Sequence, residues 1–172
     1  VAGSGEHTHL SVMARLKDGR TVNLFAPSDM KKDFLSTVGW GALMGILKNY
    51  EAVNPFVSSS NDAFNRLKPG FEAPVCIVAS LGHSVEVPSR NRTVLAGLVR
   101  DMNKPLSVRF EVRAPNPHTN TFLALAAMYQ AMLDGIKYAV TSKKTSEELF
   151  KEFCKKSGKK SPCLEKDREY RS

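Results

Sequence analysis

Val108-Arg109-Phe110-Glu111-Val112-Arg113, followed by Ala114-Pro115-Asn116-Pro117, alternates charge with apolar bulk over six residues and then stops at a proline. The two-residue period of a β-strand puts Val108, Phe110 and Val112 on one face and Arg109, Glu111 and Arg113 on the other. One side of this strand therefore belongs to a core. The other carries a plus, minus, plus row held in fixed register, an arrangement suited to a ligand that brings both a metal ion and a phosphate.

Other stretches extend that sheet. His7-Thr8-His9-Leu10-Ser11-Val12-Met13 follows a Gly3-Ser4-Gly5 bend and reads as a strand with His7, His9, Ser11 and Met13 on one face. Neutral imidazole is a good ligand for divalent metals, and a second imidazole with a hydroxyl one step along can grip a nucleotide. Lys17-Asp18-Gly19-Arg20 reads as a hairpin turn, because Asp-Gly supplies the positive φ such loops need, with Thr21 to Phe25 as the returning strand. Val75 to Ala79 reads as a buried strand, and Leu81 to Arg92 as an irregular loop exposing Arg90 and Arg92.

Three helical stretches are expected. Ser28-Asp29 offers a cap for a helix to about Tyr50, in which Gly39, Gly41 and Gly45 admit a close neighbour; Asn54-Pro55 ends that region, and Phe56 to Gly70 is a loop. Thr119 or Asn120 caps a long helix from about Thr121 to Tyr138, apolar on most sides and so expected at the centre of the fold. Thr145-x-x-Glu148 is a capping box for an amphipathic helix with Leu149, Phe150 and Phe153 on one side, and Ser157-Gly158 stops it. Ribbons and helices alternate without βαβ regularity. The expected class is α+β: an antiparallel sheet, open and funnel-like, with helices packed on its outer side.

The chain has 172 residues, 42% of them hydrophobic, enough for one sizeable core. The stretch from Phe122 to Ile136 is interrupted by Gln130 and Asp134, so no bilayer-spanning segment is read. Cys76, Cys154 and Cys163 form no CxxC pair and are odd in number, which suits reduced thiols and a cytoplasmic setting. Net charge is +8, from 25 Lys and Arg against 17 Asp and Glu, favouring an anionic partner. Arg66, Arg90, Arg92, Arg100, Arg109 and Arg113 cluster in the middle of the chain, where their planar forks suit carboxylate and phosphate. A basic nucleic-acid-binding module is the competing class; the interleaved Glu72 and Glu111 and the lack of stacking aromatics argue against nucleic acid. The late lysines alternate with Glu147, Glu148, Glu152 and Glu165, as on a solvated helix face.

Taken together, Gly3-Ser4-Gly5-Glu6-His7-Thr8-His9-Leu10-Ser11, Asn65-Arg66-Leu67-Lys68-Pro69-Gly70-Phe71-Glu72-Ala73-Pro74-Val75, Asn91-Arg92-Thr93, the Arg109 to Pro117 segment, and Leu123-Ala124-Leu125-Ala126-Ala127 with Leu133-Asp134-Gly135-Ile136 resemble glutamine synthetase. Their order and approximate spacing agree as well. The resemblance covers the C-terminal half of the catalytic domain, residues 1–141, and leaves 142–172 as a basic helical extension. It implies ATP-dependent ligation of ammonia to glutamate through a γ-glutamyl phosphate, with Mg2+ or Mn2+, in a homo-oligomer with no membrane association. A γ-glutamyl-amine (polyamine) ligase of the same superfamily is the alternative within that chemistry.

By the same resemblance, His7 and Glu111 ligate the metal that bridges ATP phosphates, His9 and Ser11 hold the nucleotide, and Gly3 offers backbone to glutamate. Arg66 and Arg113 bind substrate carboxylates, and Arg92 faces the phosphoryl group in transit. Arg109, Arg100 and Lys104 lie along ATP, and Glu72 matches the flap glutamate that shields the intermediate and helps deprotonate ammonium. Ala2 stands where the family usually has asparagine. Most of the family's metal-binding glutamates, its ammonium site and its β-grasp domain precede the point matching Gly3, so the chain is expected to carry half an active site and to have no ligase activity alone.

Overall fold

The computed structural model describes residues 5–67, 76–92, 94–153 and 163–165. In chain order the elements are β1 (Thr8–Leu10), β2 (Met13–Arg15), β3 (Thr21–Asn23), α1 (Thr37–Lys48), α2 (Tyr50–Val57), α3 (Ala63–Arg66), β4 (Cys76–Ser80), β5 (Val94–Asp101), β6 (Lys104–Val112), α4 (Thr121–Thr141), α5 (Ser146–Phe153) and β7 (Cys163–Glu165). Five strands form a sheet in the order β1-β6-β5-β4-β7, and β2 and β3 form a separate ribbon. The architecture is α+β, as expected. β1–β6 and β6–β5 are antiparallel, whereas β4 runs parallel to both β5 and β7, a mixed half that the sequence reading did not contain.

The alternation in β6 does what its side chains dictate. Val108, Phe110 and Val112 are fully buried, and Phe25 stacks on Phe110 with ring centroids 4.7 Å apart. Leu10, Ala79, Ala96 and Leu98 join them in the core beneath the helices. Asn23 ties the ribbon to this sheet: its Nδ2 donates to Val108 O at 2.6 Å and its Oδ1 accepts from Phe25 N at 2.9 Å. The Asp18-Gly19 turn forms as read, with Gly19 at φ 86°. The stretch His7 to Met13 is not one strand, however. It breaks after Leu10, where Val12 O accepts from Leu24 N at 2.8 Å, so Met13 enters the ribbon rather than the row of His9.

The helices depart further from the sequence reading. Asp29 is spent on a turn, its Oδ1 accepting from Lys31 N, and Ser36 caps α1 by accepting from Gly39 N at 3.0 Å. Pro55 lies inside α2 rather than ending it; at an exposed position near the helix end, the one lost N–H bond is tolerated. Residues expected as loop thus contribute the end of α2 and all of α3. β5 was not anticipated either, although Val94-Leu95-Ala96 begins an apolar run typical of a strand buried on both faces.

The central buried helix is α1, not α4. An added Cβ at Gly45 would lie 2.0 Å from Ala131 O, and one at Gly135 would lie 2.0 Å from Gly41 O. Only bare backbone allows this approach, which encloses α1 between sheet and α4. α4 keeps one solvent face, with Phe122 85% exposed and Tyr129, Leu133 and Val140 also exposed. The capping box of α5 forms in full: Glu148 Oε2 accepts from Thr145 N at 2.8 Å, and Thr145 Oγ1 accepts from Glu148 N at 3.2 Å. Leu149 and Phe153 are buried, and Phe150 packs on Phe34 and Trp40, so this helix shares the main core. The expected stop at Ser157-Gly158 lies outside the described residues.

Candidate active site on the open face of the sheet

β1 and β6 pair with His9 opposite Glu111 and Leu10 opposite Phe110. Partners across an antiparallel pair project to the same side, so the imidazole joins the charged row of β6 while Leu10 joins the core. Just before β1, Glu6 N donates to Pro115 O at 2.8 Å and carries the pairing back toward His7. His7 Nδ1 then stands 3.1 Å from Glu111 Oε1.

The same oxygen accepts from an Arg113 terminal nitrogen at 2.6 Å, and Arg113 Nε donates to Arg92 O at 3.2 Å. The Arg113 side chain is 5% exposed, against 24% for Glu111 and 34% for His7. A buried guanidinium thus holds the carboxylate from below, while the imidazole and carboxylate reach solvent from above. Arg109 Nε donates to His9 Nδ1 at 3.1 Å, and its terminal nitrogen donates to Ser107 O at 2.9 Å. While His9 Nδ1 accepts that bond, a neutral ring carries its proton on Nε2, facing outward as a donor.

The structure brings together His7, His9, Arg109, Glu111 and Arg113, with Arg92 joined through its carbonyl. Ser11 follows one residue after β1, in the step to β2. Lys104 opens β6, exposed, 3.9 Å from Asp101 across the hairpin and five residues before Arg109. Arg66 closes α3, and its side chain is outside the described set; Gly3 and Glu72 also lie outside it.

Arg100 does not join the row. Val99 pairs with Arg109, so its neighbour Arg100 projects to the opposite face, where it is 6% exposed. There its guanidinium donates to Asp33 O at 2.9 Å, Phe34 O at 2.8 Å and Met30 O. Burial pulls its pKa below the ordinary arginine value. The side a strand residue takes follows only from its strand and register, and for Arg100 both are set by the β5–β6 pairing. With Arg100 and Arg113 both buried, the arginines do not make one basic surface patch.

The model of the glutamine synthetase catalytic domain matches residues 1–163. The chain belongs to the glutamine synthetase catalytic-domain family. Glutamine synthetase of Rhizobium meliloti is 35% identical over 165 residues, covering 94% of this chain and 31% of the relative. That of Bradyrhizobium diazoefficiens is 38% identical over 138 residues, covering 78% and 25%. The chain thus spans less than a third of the length of these relatives. A cryo-EM structure of Plasmodium falciparum glutamine synthetase shares the fold, with TM-score 0.67 and 24% identity over 99% of this chain and 33% of that one.

Within this glutamine synthetase catalytic-domain chain, His7 and Glu111 are chemically suited to a divalent cation. Two cis ligands of an octahedral ion at about 2.0–2.1 Å lie roughly 3 Å apart, and the observed separation is 3.1 Å. Among the described residues no group of three or more His, Cys, Asp or Glu side chains gathers into a metal cluster. The pair would therefore hold such an ion by two side chains only, and the ion would supply positive charge beside the arginines. No helix among the described residues is long and apolar enough to cross a membrane.

Proposed function

We propose that this chain provides the nucleotide and substrate-carboxylate half of a glutamate–ammonia ligase, an ATP-dependent C–N ligase that forms glutamine through γ-glutamyl phosphate. The observation that carries the reading is the His7–Glu111 pair, 3.1 Å apart, beside Arg109 and Arg113 on one sheet face of a chain from the glutamine synthetase family.

In this reading His7 and Glu111 hold Mg2+ or Mn2+. The bound ion would neutralise phosphate charge and orient the transferred group. Each protein group then has a task that its surroundings support. Arg109 holds His9 with Nδ1 occupied, leaving Nε2–H to donate to the nucleotide alongside Ser11. Buried Arg113 fixes Glu111 and presents permanent positive charge under the substrate carboxylate, with Arg66 as its partner in that task. Arg92, anchored through its carbonyl, faces the phosphoryl group as charge spreads over its oxygens. Gly3 offers backbone to glutamate, and Glu72 closes over the intermediate and takes a proton from ammonium. Lys104 lies farther along the strand, toward ATP. Arg100 is left out, because its donors are spent on the core side.

The test is calorimetric titration of the 172-residue chain with Mg2+-ADP, ADP alone and adenosine. Binding that needs magnesium, and that weakens at least tenfold in both Glu111→Gln and His7→Ala with the fold intact, supports the reading. Magnesium-dependent affinity that is unaltered in both variants overturns the metal assignment.

A further inference from the structure

The core side of the sheet holds a cavity of about 360 Å3 that the ligase chemistry proposed above does not use. Arg100, which projects to that side, donates to the Asp33 and Phe34 carbonyls, and both of these residues line the cavity. The cavity therefore lies behind the strands whose front carries His9, Arg109 and Glu111. Three segments distant in sequence enclose it: the turn before α1, the 83–85 loop and the start of α5.

Its walls are largely aromatic. Phe34 stacks on Phe150 with ring centroids 6.0 Å apart, Trp40 meets Phe150 at 5.5 Å, and Val85 supplies the apolar wall of the loop. Such surfaces receive flat rings by stacking or by edge contact. A dry apolar cavity of about 150 Å3 holds one benzene, so this one has room for two fused rings.

The charges around it cancel. Lys32 is offset by its neighbour Asp33, Lys151 binds Glu147 at 2.7 Å, and Arg100 behind the wall is opposed by Glu86. A charged ligand would lose its hydration without meeting a net opposite charge. The polar group that selects among neutral rings is Ser84, whose hydroxyl donates to the Glu86 carboxylate. A hydroxyl with its proton committed in this way serves a ligand as an acceptor, so the fitting ring carries an N–H donor.

We propose that this cavity is a second ligand site, for an uncharged bicyclic heteroaromatic ring whose N–H donates to Ser84 Oγ. Its occupancy is independent of the nucleotide, because none of the residues assigned to nucleotide, metal or glutamate lines it.

Calorimetric titration and thermal unfolding of the 172-residue chain with indole test it, beside benzofuran, which lacks the N–H, and the charged rings indole-3-acetate and tryptamine. Indole is expected to bind one to one with a Kd of roughly 0.1–1 mM and to raise Tm, since a ligand held by the native state alone stabilises it. Benzofuran is expected to bind about fivefold more weakly, as for one lost hydrogen bond, and the two charged rings at least tenfold more weakly. Val85→Phe and Ser146→Leu fill the cavity from two of its sides, and each is expected to weaken indole at least tenfold while leaving the Mg2+-ADP titration as it is in the unsubstituted chain. Absence of indole binding to the unsubstituted chain overturns the site. So does unaltered indole affinity in a folded Val85→Phe or Ser146→Leu protein, or binding of benzofuran or either charged ring as tight as that of indole. Loss of the fold in both variants overturns it as well, because protein then occupies the space.

Discussion

Two arginines of similar sequence standing end in opposite surroundings. Arg109 projects to the open face and holds His9; Arg100, across the adjacent strand and one position out of register, points into the core side and braces the Met30 to Phe34 turn. The sequence supplied both residues and the resemblance assigned both to ATP, but only strand parity separates them. Arg100→Met keeps the bulk and strips donors from three carbonyls, each costing about 1–3 kcal/mol if left unpaired. The expected loss of stability is about 2–4 kcal/mol by urea unfolding, with Mg2+-ADP affinity per folded molecule unchanged. A stable Arg100→Met protein with reduced nucleotide affinity would return Arg100 to the ligand. His7, His9, Arg109, Glu111 and Arg113 were all legible in advance, because a period of two needs no tertiary information. The anchoring of Arg113 on the Arg92 carbonyl was not, since it is a contact across 21 residues.

At the scale of elements, the α1–α4 crossing is set by absent side chains. Gly45→Ala would place a methyl 2.0 Å from Ala131 O and force the helices apart. The gain in helix propensity is about 1 kcal/mol, and overpacking costs about 1–3 kcal/mol or more. A net destabilisation of about 1–2 kcal/mol is expected in denaturant titration; unchanged stability would show that the crossing can slide. α5 is held at its start by ionised carboxylates. The Thr145 N–H and hydroxyl hold Glu148 below the usual carboxylate range, and Lys151 does the same for Glu147. A carboxylate with a lowered folded pKa stabilises fully above its unfolded value, about 4.3, and loses that contribution as pH falls through the folded one. Trp40, the single tryptophan, packs against Phe150 and Phe153. Its fluorescence should therefore report loosening of α5 between about pH 5 and 3, with Glu148→Gln flattening part of the change. Insensitivity of Trp40 across that range would remove the electrostatic account of this helix. The capping box was readable because all its partners lie within four residues; the start of α1 was not, because Asp29 and Ser36 both satisfy local cap chemistry and packing chose between them.

For the whole molecule, the described site gathers arginine charge around the His7–Glu111 pair, in a chain that spans less than a third of the relatives it matches. The 172-residue chain is expected to give no glutamine in a coupled assay with ATP, glutamate, ammonia and Mg2+, while still binding Mg2+-ADP. Clear turnover would show that its own residues complete the chemistry. By itself the sequence determined the α+β class, the charged strand and the composition of its polar row, and the family, because periodicity and motif order are properties of the chain read locally. Only the tertiary structure decided that α1 rather than α4 is enclosed, that β4 runs parallel to β5, and that Arg100 turns to the core side of the sheet. Each of these depends on pairings between residues far apart in sequence. Their register is fixed by the joint burial of apolar faces, which no single segment encodes.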